Sequence, residues 1–259
     1  MYKNFWRFAG APHCEEKVSV DEVRQMLSHG GLLVRNTYQF DCQEETAFWY
    51  VIKDNFGRLE ELSSNTRRKI RKALDNIDYQ IVDADIIKQK GFDVYQEAIK
   101  AYPADGSALS ETAFIDTVGA GNTECWGCFD KEKQTLVGFS INNVWNDACG
   151  YELIAMLPEY RHNASYAYYG LVYSMNEHYL ANKGFSYVSD GSRSITEHSG
   201  VHEWLIDNFN FRKAYCHLDI FYKPWIGFAV KMLYPFRKMI TNRRVKAVLN
   251  MEAMRRGEK

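Results

Sequence analysis

The residues Leu157 to Leu171, LPEYRHNASYAYYGL, decide how this chain is read. They follow CGYELIAML (149–157), an aliphatic and aromatic run that reads as a strand. They open SYAYYGLVYSMNEHYLANKG (165–184), which reads as a helix closed by Gly184. Tyr166, Tyr169 and Tyr173 fall at i, i+3 and i+7, the spacing of one packing stripe.

Working outward, YQIVDAD (79–85) reads as a strand, and GFDVYQEAIKAY (91–102) and SETAFIDTVGAG (110–121) read as helices. TECWGCFD, QTLVGFSINNVW and CGYELIAML form three consecutive strands joined by DKEKQ and NDA. After the long helix come a short strand (FSYVSD), a short helix (GVHEWLIDNF) and a last strand (FRKAYCHLDIFY). The order from Tyr79 to Tyr222 is β-α-α-β-β-β-α-β-α-β. An antiparallel meander feeding a crossover helix implies an α/β (α+β) fold with a mixed, helix-covered sheet.

This order and three motifs resemble the GNAT acyltransferase superfamily. LPEYRHNASYAYYGL stands where the family has P-x-Y-R and a glycine-rich turn into a helix. ANKGFSYV is similar to its K-G run into the next strand, and EWLIDNFNFRKA to its short helix ending in G-F. The first 78 residues, with a basic helix, look like the front half of Fem-type (FemAB-like) transferases, which pair two GNAT-like units. The resemblance implies three segments: 1–78, an extension or partial second GNAT-like unit; 79–222, the acyltransferase core; and 223–259, a basic helical tail.

In this family, backbone N–H groups at the helix start hold the donor's pyrophosphate. The resemblance therefore assigns donor binding to Met156, Leu157, Arg161, His162, Asn163, Ala164 and Ser165, with oxyanion N–H groups near Met156 and Leu157. Two positions depart from it. Ala164 and Tyr166 stand at the glycine places of R-x-x-G-x-G, and Ile206 stands where many members carry a tyrosine acid. Tyr166, Tyr168 or Tyr169 are the substitutes for that acid. The implied donor is acyl-CoA or, as in Fem-type proteins, aminoacyl-tRNA. The acceptor is an amine on a small molecule or cell-envelope precursor. The alternative is a GNAT-fold protein without catalysis that binds nucleotide, RNA or anionic lipid.

Amine acylation needs a proton acceptor as well as the donor. Strand alternation puts Glu152 on a face with Ile154 and Met156, opposite Tyr151, Leu153 and Ala155; apolar neighbours would make Glu152 a base, and the other reading is an edge-exposed glutamate. Glu159 in the turn is the other candidate. Asp190 ends a strand, where open sheets place ligands. With Ser192, Arg193 and Ser194 it could bind a polar acceptor, or serve turn and capping chemistry. His198, His202 and Glu203 lack a third ligand, so no metal site is read. Cys125-Trp-Gly-Cys128 lies in a strand rather than at a helix start, so core packing is its default.

Composition limits the rest. Net charge is −1, with 46% apolar and 25% charged residues, which excludes a disordered chain. Six cysteines in this length read as buried thiols in a reducing cytoplasm. The opening MYKNFWRFAGAPHCEE lacks a leader's apolar run, and no stretch is apolar enough to span a bilayer. Charge is uneven. Ser63 or Ser64 caps a helix to about Asn76 that carries five cations between Arg67 and Lys72, and the segment from Lys223 onward carries ten Lys and Arg against two acids. The tail mixes Trp225, Phe228 and Phe236 with Lys231, Arg237 and Lys238, with Pro235 breaking any helix. Two readings apply: an interfacial segment for anionic lipid or tRNA, or packed helices with a solvated basic face. The location read is cytoplasmic, peripheral at the inner membrane face if the tail docks.

Overall fold

The computed structural model describes residues 5–7, 10–15, 18–101, 108–162, 165–195 and 200–258. In chain order the elements are β1 (Phe5–Arg7), α1 (Val20–Ser28), β2 (Leu33–Tyr38), β3 (Phe48–Lys53), α2 (Ser64–Asn76), β4 (Ile77–Val82), α3 (Ala84–Ala101), α4 (Glu111–Val118), β5 (Thr123–Asp130), β6 (Leu136–Val144), β7 (Ala148–Met156), α5 (Pro158–His162), α6 (Ala167–Asn176), β8 (Tyr187–Ser192), α7 (Val201–Phe209), β9 (Arg212–Tyr222), α8 (Pro224–Leu233) and α9 (Arg243–Arg255). The meander, crossover helix and closing strand follow the expected order, with the short α5 added in the turn.

The chain forms two compact units. One, the central unit, comprises Ile52–Gly191 and Glu203–Phe211; the other, the terminal unit, comprises Met1–Val51, Ser192–His202 and Arg212–Lys259. This division differs from the sequence segments: it sets α2 with the meander and joins the C-terminal helices to the N-terminal strands.

In the central unit the strand order is β8-β7-β6-β5-β4. β4 to β7 pair antiparallel, and β8 joins β7 in parallel. One face is sealed by α3 and α4, whose Ile87 and Phe114 meet Phe139 and Ile141, all four fully buried. Burial of such side chains contributes roughly 1.5–3 kcal/mol each. α6 covers the other face. Gly170 allows this: a Cβ there would stand 2.4 Å from the Tyr79 hydroxyl, and that hydroxyl donates to the Ala167 carbonyl at 2.9 Å. The N-terminal end of α6 is thereby fixed to β4. Beyond Asn176 the helix widens into a π turn, Glu177–Asn182. There the buried Tyr179 hydroxyl donates to Glu124 at 2.6 Å and accepts from Trp126 and Asn142.

In the terminal unit the order is β1-β2-β9-β3, with β1 parallel and β9 antiparallel to β2. α9 lays Met251 and Met254 on Leu33, Phe48 and Leu218. α8 packs against α9 through Val230, Tyr234 and Leu249. Pro235 acts as expected: α8 stops at Leu233, and a 3-10 turn, Tyr234–Met239, takes over with the proline in its first positions. No helix among the described residues is long and apolar enough to cross a membrane.

Candidate functional site

β7 and β8 pair over three positions only, Ala148 with Tyr187, Cys149 with Val188 and Gly150 with Ser189. β7 then runs on from Tyr151 to Met156 and β8 from Asp190 to Ser192, outside that ladder. The parting leaves backbone donors on one side of β7. Leu157 N–H donates to the Val137 carbonyl at 2.8 Å, so Val137 and Leu157 form a hydrogen-bonded pair with β6. Antiparallel pairs alternate, so Gly138–Met156 and Ser140–Ile154 are of the non-bonded kind. The N–H groups of Met156 and Ile154 therefore point away from β6, toward the opening. The Met156 N–H, expected to serve an oxyanion, is thus not used by β6, whereas that of Leu157 is committed to Val137.

The helix that crosses this face, α6, begins in an unusual way. Tyr166, the N-cap of α6, has φ +51° and makes no side-chain cap. The backbone is thus left-handed at a position where the resemblance implies glycine, at a cost of about 1–2 kcal/mol for a residue with a Cβ. An α-helix start leaves N–H groups unbonded within the helix. Here α2 brings cations to the tyrosines of that first turn. Ser63 caps α2 by accepting from Thr66 N–H, and Ile70 and Ala73 are buried. That packing turns Lys69 inward: its ammonium lies 4.6 Å from the Tyr169 ring centre and 5.7 Å from that of Tyr166, and Arg68 lies 6.0 Å from Tyr166. So Lys69, half-buried, turns toward the helix start, while Arg68 stays exposed beside Tyr166 and also donates to Asn65 at 3.2 Å.

Tyr169 is the hub of this cluster. Its hydroxyl accepts from Lys69 Nζ at 2.9 Å and from Trp204 Nε1 at 3.2 Å, and donates to Asn208 Oδ1 at 3.2 Å. Asn208 also accepts from Thr66 at 3.3 Å. A phenol from α6 thus reaches α7, the helix in which Ile206 stands where the resemblance implies a tyrosine. Lys69 lies in the cation cluster read from the sequence, whereas Trp204 and Asn208 were missed. Asn208 lies two residues from Ile206 and was the available signal. Tyr168 is the poorer acid: burial pushes its phenol up, and Arg161 only partly offsets this. Arg161 is half-buried beside it, and burial lowers its own pKa. Ser165 spends its hydroxyl on the Tyr160 carbonyl at 2.9 Å. Asn163 and Ala164 lie outside the described residues, as does the His162 side chain.

Glu152 is not where alternation put it. The β6–β7 register shifts between Ile141 and Asn142, pairing Ile141 with Leu153 and Asn142 with Tyr151. Glu152 is the extra residue of a β-bulge, and a bulge resets facing. Tyr151 consequently points to α6, donating to Asn176 at 2.7 Å, while Leu153 and Ala155 join the α3–α4 core. Glu152 is exposed and accepts from Asn143 at 3.1 Å, so the apolar enclosure expected of a base is absent. Glu159 is exposed too.

Asp190 is better placed. It is half-buried and the first β8 residue past the ladder, as Tyr151 is the first on β7. Burial raises the Tyr151 phenol far above its usual range, and the neighbouring Asp190 charge adds to this. Ser192, Arg193 and Ser194 belong to the terminal unit. Arg193 there is structural: its N–H donates to Trp49 and its guanidinium to Ala47, at 2.8 and 2.6 Å. His198 lies outside the described residues, and His202 tilts against Trp49. Cys125 and Cys128 are buried, which pushes the Cys125 thiol up to about 11 and that of Cys128 higher still, against use as thiolates.

No protein-family model matches the chain, and no curated protein matches it by sequence. Solved structures do resemble it. FemX is 12% identical at a TM-score of 0.54, over 86% of this chain and 72% of that one. L-PGS from Bacillus licheniformis is 9% identical at 0.50, over 82% and 75%. The ribosomal-protein-S18-alanine N-acetyltransferase from Escherichia coli aligns with 41% of this chain and 61% of that one, at 14% identity and a TM-score of 0.33. The fold is GNAT-like and Fem-like, as the motifs implied.

Proposed function

We propose that the chain is an N-acyltransferase, moving an acyl or aminoacyl group from an anionic activated donor to an amine. The observation that supports this most is the α6 start flanked by Lys69 and Arg68, in the same central unit as the β7–β8 parting. Fixed helix N–H groups and two cations suit a phosphorylated donor. Acyl-CoA and aminoacyl-tRNA both satisfy that chemistry.

In this reading the amine nitrogen bonds to the donor's carbonyl carbon, and the carbonyl oxygen takes negative charge. Met156 and Ile154 N–H groups stabilise that charge from the edge of β7. Asp190 receives the amine's proton. The bond from the carbonyl carbon to the donor's sulfur or oxygen then breaks, and Tyr169 protonates the leaving atom. Lys69, bonded to the same phenol oxygen, stabilises the phenolate left behind.

The test is thermal stabilisation of the full chain by desulfo-CoA, acyl-CoAs and a non-hydrolysable aminoacyl-tRNA analogue. A donor that binds only the folded state raises Tm by mass action, by about 2.7 kcal/mol of stability at a hundredfold excess over Kd. A shift with one class identifies the donor. Absence of any shift removes the proposal. A shift without acyl transfer to a panel of amines supports the non-catalytic alternative, which the replaced glycine and tyrosine positions favour.

A further inference from the structure

In the terminal unit, α8 and the 3-10 turn after it expose Trp225, Phe228, Met232, Leu233, Phe236 and Met239, at 39% to 80% of their full areas. Their spacing is close to helical, so they share one side of the rod. The opposite side does the packing, with Val230 and Tyr234 buried against Leu249. The outward side is therefore not a core face left over. Monomeric surfaces seldom gather so many large apolar groups without a use.

The charges around it narrow the occupant. From Lys223 to Met251 there are seven cations and no Asp or Glu. Lys231 and Lys238 are exposed among the apolar residues, and Arg244 and Lys246 are exposed beyond them. A second copy seated on this face would set two such cationic rims against each other, which costs rather than gains. An anionic bilayer offers both complements: an apolar interior within a few ångströms of a layer of negative headgroups.

We propose that the outer face of α8 and its 3-10 turn docks on an anionic phospholipid surface. Trp225, Phe228, Phe236 and Met239 enter the headgroup–acyl boundary, while Lys231 and Lys238 extend to headgroup phosphates. The inference stands on the terminal unit alone and does not depend on the transferase reading.

The experiment is co-sedimentation of the full chain with phosphatidylcholine vesicles, with and without about 30% phosphatidylglycerol, together with light scattering in the absence of lipid. Binding is expected to the anionic vesicles and to weaken with salt. Trp225→Ser/Phe228→Ser/Phe236→Ser and, separately, Lys231→Glu/Lys238→Glu should each lower partitioning at least about tenfold with Tm little changed, because these side chains are exposed. Trp225→Phe should keep the binding and lose a lipid-induced blue shift in fluorescence. Equal binding to neutral vesicles, no binding at all, or unchanged partitioning in the charge variant overturns the proposal. So does self-association abolished by the serine variant in a chain that ignores vesicles, which would give the face to a second copy.

Discussion

Tyr169 joins α2, α6 and α7 through one oxygen, and that is both its structural and its chemical importance. Tyr169→Phe leaves Lys69, Trp204 and Asn208 short of a partner, which should cost about 1–3 kcal/mol of stability. As the proton donor its loss should also lower kcat by about 100-fold or more, with donor affinity changed only a few-fold. Steady-state kinetics beside a melting curve separates the two: a lower Tm with kcat intact leaves the residue as a brace. Tyr166 makes the opposite case. It holds a left-handed backbone and lies against both Lys69 and Arg68. Tyr166→Gly relaxes that backbone and uncovers the cations, so donor affinity should rise several-fold by calorimetry; an unchanged or weakened affinity means the ring itself forms part of the donor seat.

Among elements, α2 carries the clearest test of donor class. Lys69→Gln should weaken binding of a phosphorylated donor by about five- to tenfold, since it removes one charge-assisted contact. Arg71→Gln alters an exposed side chain and should leave CoA binding unchanged. If both substitutions weaken binding and flatten its salt dependence, the donor is tRNA, whose phosphates reach the whole basic face. α2 also shows how far sequence reading extends. Its start at Ser63 and its end at Asn76 follow from capping and apolar periodicity. Which cation turns inward does not, because that depends on where α6 lies. The meander order was legible, yet the facing of Glu152 was not: a bulge leaves residue types unaltered while resetting every side chain beyond it. The place of Asp190 near the end of a strand was legible. Asn208 and Trp204 were not, because a polar side chain on a short helix looks the same whether it meets water or a phenol.

For the whole molecule, the C-terminal segment changes from appendage to structural part, since α9 closes the core of the terminal unit over β2 and β9. One buried acid ties it down. Glu252 accepts from Arg255 at 2.7 and 2.9 Å, from Arg256 at 2.8 Å and from Tyr222 on β9 at 3.0 Å. Burial by itself would raise this carboxyl, but the donors outweigh it and hold the pKa below the ordinary carboxylate value. A carboxyl with a lowered folded pKa stabilises in full above its unfolded pKa, and that contribution disappears as pH falls through the folded value. Glu252→Gln should therefore cost about 1–3 kcal/mol at neutral pH, discounted for the part-exposed arginines, and progressively less in acid until the two proteins converge. Hydrogen exchange followed from pH 7 downward reads this unit by unit. Amides of α9 and β9 should lose protection in the parent protein on acidification, and already lack it in the variant at neutral pH. The β5–β6 amides of the central unit should be equally protected in both. A variant matching its parent at every pH would show that Glu252 gains no more from its donors than it loses on leaving water.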